Sequence, residues 1–128
     1  MTFHEQLPAT ADSVAAARDA MRRFAQDMEV DVDGMVLAVS EAVANVVTHA
    51  YEDGAGDVEL SAVASAHEIE VVVRDQGRGL EASGPSLRPG YGMEIIRRLA
   101  EHVAIADSRE GLQLTMRFRR GGGWSVSG

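Results

Sequence analysis

The sequence predicts an α+β fold, a two-layer sandwich of a mixed, mostly antiparallel sheet covered by three helices. Apolar residues recur at helical spacing between residues 12 and 51 and again between 93 and 101. They alternate with polar ones over 58–64 and 69–73, as half-buried strands do. In order the elements run β-α-α-β-β-α-β-β, and no internal repeat or coiled-coil pattern interrupts them. Residues 1–120 therefore read as one domain and residues 121–128 as a flexible tail.

Thr2 to Leu7 suits a short edge strand that Pro8 ends. Asp12 or Ser13 is a natural N-cap for a helix reaching about Met28, whose apolar positions are Val14, Ala17, Met21, Phe24, Ala25 and Met28. A second helix begins near Asp33 and ends by Tyr51. Met35, Val36, Leu37, Val39, Val43, Val46 and Val47 make it apolar almost all round, which is the mark of a buried helix. Glu52-Asp-Gly-Ala-Gly is a flexible exit. Val58, Leu60, Ala62 and Ala64 then form the inward side of one strand and Ile69, Val71 and Val73 that of the next, with a short connection at Ala66-His67. A loop of about 15 residues follows Asp75, long enough to suggest function. The third helix spans about Met93 to Glu101, and Val103–Ala106 and Leu112–Phe118 complete the sheet.

Composition narrows the function. Twelve Lys+Arg, none of them lysine, stand against 20 Asp+Glu, for a net charge of −8. That balance argues against a nucleic-acid backbone or an anionic membrane as the main partner. With no cysteine, thiolate chemistry and a cysteine zinc site are excluded. No signal pattern is present, nor any apolar run near the roughly 20 residues of a bilayer span. The expectation is a soluble, cytoplasmic protein.

Within the buried second helix, Glu41, Asn45 and His49 recur every four residues and share one face. A carboxylate buried without a partner costs several kcal/mol, so Glu41 is expected to face a polar cleft. Asn45 offers an oxygen suited to Mg²⁺, and Glu41 could accept a proton from an attacking hydroxyl. Alternatively both cap neighbouring backbone groups in a buried interface. His49 suits the helix C-terminus electrostatically, and Tyr51 suits packing. Asp75-Gln-Gly-Arg-Gly lies at a strand end, where the carboxylate could accept from an exocyclic amine such as that of adenine. Gly77 and Gly79 would let backbone approach a ligand, and the competing reading is simple turn chemistry. Gly90-Tyr-Gly-Met precedes the third helix, so Gly90, Tyr91, Gly92 and Met93 could bring its N–H groups to a phosphate or form only a hinge. Arg88 is the nearest candidate cation for that phosphate; a solvated loop arginine is the alternative.

An E-x-x-x-N helix, D-x-G-x-G after a strand and a G-x-G-M junction, in this order, resemble the N, G1 and G2 boxes of the GHKL ATPase superfamily. LPATADSVAAARDAMRRF followed by LAVSEAVANVVTHAY resembles more closely the anti-sigma-factor serine-protein kinases of bacterial stress and sporulation switches, over about residues 5–119. The resemblance implies a Bergerat-type ATP site between helices and sheet. It implies Glu41 as general base, Asn45 as Mg²⁺ ligand and Asp75 as the adenine-binding aspartate beside Gly77 and Gly79. Gly90, Tyr91, Gly92 and Met93 match the phosphate-cradling end of the lid, Arg88 its arginine, and Arg18 a first-helix arginine that binds partners. ATP and Mg²⁺ are the implied cofactors. A sigma factor and an anti-anti-sigma (STAS-type) protein are the implied partners, with a homodimer as the implied assembly.

Two departures stand out. The family's last strand opens with Gly-Thr-Thr, whose threonine helps hold adenine through water, whereas here Leu112 and Gln113 follow Gly111. That contact is expected to be lost, or replaced by Gln113 or Thr115. The lid between Gly79 and Gly90 is also short, and incomplete closure would admit water. The leading expectation is a protein-serine kinase that sequesters a sigma factor; the second is a nucleotide-gated binding module with little kinase activity. A sensor histidine kinase fits poorly, because His4, His49, His67 and His102 are scattered and form no phosphoacceptor helix pair.

Overall fold

The computed structural model describes residues 1–49, 56–76, 92–108 and 111–121. Its elements are β1 (Thr2–Pro8), α1 (Ala11–Phe24), α2 (Val32–His49), β2 (Asp57–Ala64), β3 (Glu68–Asp75), α3 (Met93–Leu99), β4 (His102–Ser108) and β5 (Gly111–Arg119). The strands form one sheet in the order β1-β2-β3-β5-β4. The α+β sandwich is as expected, but every strand pairing among the described residues is antiparallel rather than mixed.

Register explains the two faces. Leu60 pairs with Val73 and Val73 with Leu114, so one row of apolar side chains crosses the sheet beneath the helices, and Ile105, opposite Leu114 on β4, extends it in an exposed position. Parallel to it run Phe3, Ala62, Val71, Met116 and Val103. Leu60, Ile69, Leu114 and Met116 are fully buried against Met21 of α1, Met35, Val39 and Val43 of α2, and Ile96 of α3. Each such side chain contributes about 1.5–3 kcal/mol of burial free energy. The alternate positions, among them Glu59, Glu70, Arg74 and Arg117, face away from the helices. There Arg117 Nε lies 3.1 Å from Glu70 Oε2, an exposed pair of small energetic weight.

Element ends depart from the sequence expectation for local reasons. Thr10, not Asp12 or Ser13, is the N-cap of α1. The Ser13 hydroxyl turns back to the Pro8 carbonyl and its N–H donates to the Thr10 carbonyl at 3.0 Å. Asp12 instead sits in the first turn, where its charge complements the helix dipole. The helix stops at Phe24 rather than Met28, yet Ala25 is buried and Met28 packs on the core, so apolar spacing outlasts the helix. At α2, Asp31 caps the start, its Oδ1 accepting the Gly34 N–H at 3.1 Å. α3 ends at Leu99 because Ala100 is extended and the Glu101 N–H already donates to the Arg117 carbonyl at 2.7 Å.

These contacts also orient the layers. Arg22 Nη1 to Asp33 Oδ1, 3.1 Å, joins the end of α1 to the start of α2. A cavity lined by Val30, Asp31, Arg98, Leu99, Phe118 and Arg119 gathers the start of α2, the end of α3 and the end of β5. In the same region Arg119 Nε donates to Glu101 Oε2 at 2.9 Å, which raises the guanidinium pKa from its ordinary value. α2 and β3 therefore both run away from this end. An 18-residue helix and an eight-residue strand each span about 27 Å, so they finish together at the opposite end.

Candidate nucleotide site

That opposite end collects the chemistry. Glu41 and Asn45 lie on the second half of α2, four residues apart and on one face. Asn45 is 6 % exposed, and its Nδ2 has no hydrogen-bond partner among the described residues. Buried amide groups are nearly always paired, so this one is suited to a ligand. Glu41 is half-buried. Ser40, also buried, satisfies itself within the helix by donating to the Leu37 carbonyl at 2.9 Å and takes no part.

β3 supplies Asp75. Alternation with Val71 and Val73 turns it toward the helices, where it is 1 % exposed. Its Oδ1 accepts the backbone N–H of Leu112 at 3.3 Å. Gly111, with φ +137°, makes this approach possible. Any Cβ there would overlap the Asp75 carbonyl oxygen and lie 2.9 Å from the carbonyl carbon. Gly111 and the Leu112 backbone were not singled out for this role from the sequence. Their signal was a glycine opening the strand that pairs with the aspartate's own strand.

α3 supplies the third part. Gly92 caps it with φ +89°, and a Cβ on Gly92 would lie 2.8 Å from Glu41 Oε1. The start of α3 thus rests on the Glu41 side chain. Met93 is 5 % exposed, its side chain built into the core, so only its backbone remains for a ligand.

Strand alternation corrects one expectation. On β5, Leu112, Leu114, Met116 and Phe118 point into the sandwich, which leaves Gln113 and Thr115 on the outer face. Neither can replace a threonine contact inside the site. The inward position is Leu112, 3 % exposed and apolar. Arg18 is exposed on α1, outside this cluster. Gly77, Gly79, Arg88, Gly90, Tyr91 and Tyr51 lie outside the described residues, as do the side chain of His49 and residues 122–128.

Among the described residues no three His, Cys, Asp or Glu side chains converge as a metal cage. Mg²⁺ needs none when it shares a nucleotide's phosphate oxygens, taking one or two protein oxygens besides. Asn45, one turn from the Glu41 carboxylate, carries an amide oxygen of the type that donor set uses. Its Nδ2, unpaired among the described residues, is a donor and suits a phosphate oxygen rather than the cation.

A model of the histidine kinase-like ATPase domain matches residues 7–118. The chain belongs to this family. Among relatives, the ATPase domain is 27 % identical over 124 residues to the anti-sigma F factor of Clostridium acetobutylicum, covering 85 % of this chain and 87 % of that protein. It is 31 % identical over 101 residues to the serine-protein kinase RsbW of Bacillus cereus strain AH820, covering 77 % of this chain but only 62 % of that protein. Its fold matches the structure of the RsbU and RsbW domains of Rv1364c from Mycobacterium tuberculosis. The TM-score is 0.74 at 22 % identity, over 94 % of this chain and 32 % of that one. Among its described residues no helix is long and apolar enough to cross a membrane.

Proposed function

We propose that this ATPase domain is an ATP-dependent protein-serine kinase that also binds and inhibits a sigma factor, its phosphoryl acceptor being an anti-anti-sigma protein. The observation that carries the reading is the buried Asn45 amide, one turn from Glu41, at the end of the fold where Asp75 closes β3. The names of its relatives, anti-sigma F factor and serine-protein kinase, support it.

In this reading Asp75 accepts a hydrogen bond from the adenine amine, and the Leu112 N–H holds the carboxylate in place. Asn45 would hold Mg²⁺, which when bound neutralises phosphate charge. Arg88 and the backbone before α3 meet the phosphates. Glu41 takes the proton from the acceptor serine as its oxygen bonds to the γ-phosphorus and the bridging bond to ADP breaks. Phosphoserine carries about −2 charge, and the chain's own charge of −8 then repels the product. Arg18, exposed on α1, is proposed to contact partners, and the working unit is proposed to be a homodimer.

The experiment is transfer of labelled γ-phosphate from Mg·ATP to a purified anti-anti-sigma protein, with wild type and Glu41→Gln compared. Loss of about 10²–10⁴-fold in E41Q is expected for a missing general base. Full transfer by E41Q would remove Glu41 from that role.

Leu112 favours a second reading, a nucleotide-gated protein-binding module with little or no kinase activity, because its side chain cannot hold a base through water. ATP-dependent capture of a sigma factor without transfer to any anti-anti-sigma protein would select it.

A further inference from the structure

Among the described residues no hydrogen bond or ion pair fixes the Glu41 carboxylate. Its neighbour across the helix interface is Gly92. An ideal Cβ on Gly92 would lie 2.8 Å from Glu41 Oε1, 3.3 Å from its Cβ and 3.5 Å from its Cδ. The three contacts run along the side chain, so the bare backbone of Gly92 forms one wall of the slot that Glu41 fills.

We infer that Gly92 is a positioning residue for Glu41, its missing side chain setting the direction in which the carboxylate points. The inference rests on Glu41 being the base, as proposed above. A glutamate on a helix has three rotatable bonds, and ordering it costs side-chain entropy. A wall that excludes the wrong rotamers spares the reaction part of that cost. α3 cannot yield to make room, because Met93 and Ile96 anchor it in the core and its residues pack along α2. A side chain at position 92 would therefore displace the carboxylate rather than the helix. The positive φ of Gly92 excludes most other residues independently.

A double-mutant cycle in the full chain tests this, read by transfer from Mg·ATP to a purified anti-anti-sigma protein. Gly92→Ala alone should lower kcat by about 100-fold, the scale of a 1 Å misplacement. KM for ATP should change by less than about threefold, since the defect is not in ground-state binding. In the Glu41→Gln background G92A should have no further effect, because no base remains to misplace. Equal losses in both backgrounds would overturn the inference and leave Gly92 a phosphate contact only. Full activity of E41Q by itself would instead remove the base assignment, and the same assay separates the two failures. The Glu41 carboxyl carbon resonance, followed by ¹³C NMR, should shift in G92A. An unmoved resonance would overturn the contact itself. If the alanine protein melts below the assay temperature, Gly92→Asn carries the same Cβ with less backbone strain and takes its place.

Discussion

Leu112 donates its backbone N–H to Oδ1 of Asp75 across 3.3 Å, tying the start of β5 to the last residue of β3. Both side chains face the helices, and both are almost fully buried. A carboxylate in such a place is expensive to desolvate, and hydrogen bonds such as the one from Leu112 offset part of that. An apolar residue would close the sheet at lower cost. The cost of burying Asp75 accords with the ligand role proposed for it above, at the junction of β3 and β5.

Gly111 is the residue that junction least tolerates changing. Gly111→Ala would force a Cβ into the Asp75 carbonyl and hold an L-residue at φ +137°. Strain and overpacking of this kind cost about 1–3 kcal/mol each, so a loss of about 3 kcal/mol or more is expected. Urea denaturation should give a lower midpoint with an unchanged slope. An unaltered midpoint would mean that β5 starts elsewhere.

Asp75→Asn keeps an oxygen for the Leu112 N–H while removing the charge and turning the other oxygen into an N–H donor. Melting should therefore change little, while ATP affinity falls by about 10–100-fold, the worth of a hydrogen bond to a charged acceptor. Calorimetric titration with ATP decides it. Equal affinity in D75N and wild type would place the base of the nucleotide elsewhere.

The strands were legible because alternation is a local signal. Val58, Leu60 and Ala62, then Ile69, Val71 and Val73, are buried as their spacing demands. Helix ends were less legible, since a packing pattern does not mark where hydrogen bonding stops. Ala25 and Met28 serve the core from beyond the end of α1. On α2 the cap is Asp31, two residues before the predicted start, and its Asp-x-x-Gly spacing was the overlooked sign. Glu41 and Asn45 could be read as one face from a four-residue period. The contact of Glu41 with Gly92 could not, because it depends on how α3 packs against α2. Gln113 and Thr115 could have been dismissed at once, for the same alternation that built β5 turns both outward.

Asn45→Leu separates function from stability. It replaces a buried amide, whose Nδ2 lacks a partner among the described residues, by an apolar side chain of similar shape. Removing an unsatisfied buried polar group is worth about 1 kcal/mol or more, so the nucleotide-free protein should melt at a higher temperature. Mg²⁺-dependent ATP binding should be lost in the same variant. Lower stability with intact binding would show that the amide serves packing, not a ligand.

Leu112→Thr reverses the departure that sets this chain apart from the family it resembles. The inward side chain becomes shorter and gains a hydroxyl beside Asp75. Without nucleotide this should destabilise the protein by about 2 kcal/mol, from lost apolar burial and a hydroxyl short of partners. If position 112 borders the adenine, ATP should bind about 3–10-fold more tightly, the yield of one neutral hydrogen bond. The two effects then oppose each other, and saturating ATP should return part of the lost melting temperature by linkage. Calorimetry and thermal melts on the same preparation check both. A destabilised L112T that binds ATP no more tightly would mean that Leu112 only fills the core and that recognition of the base rests elsewhere.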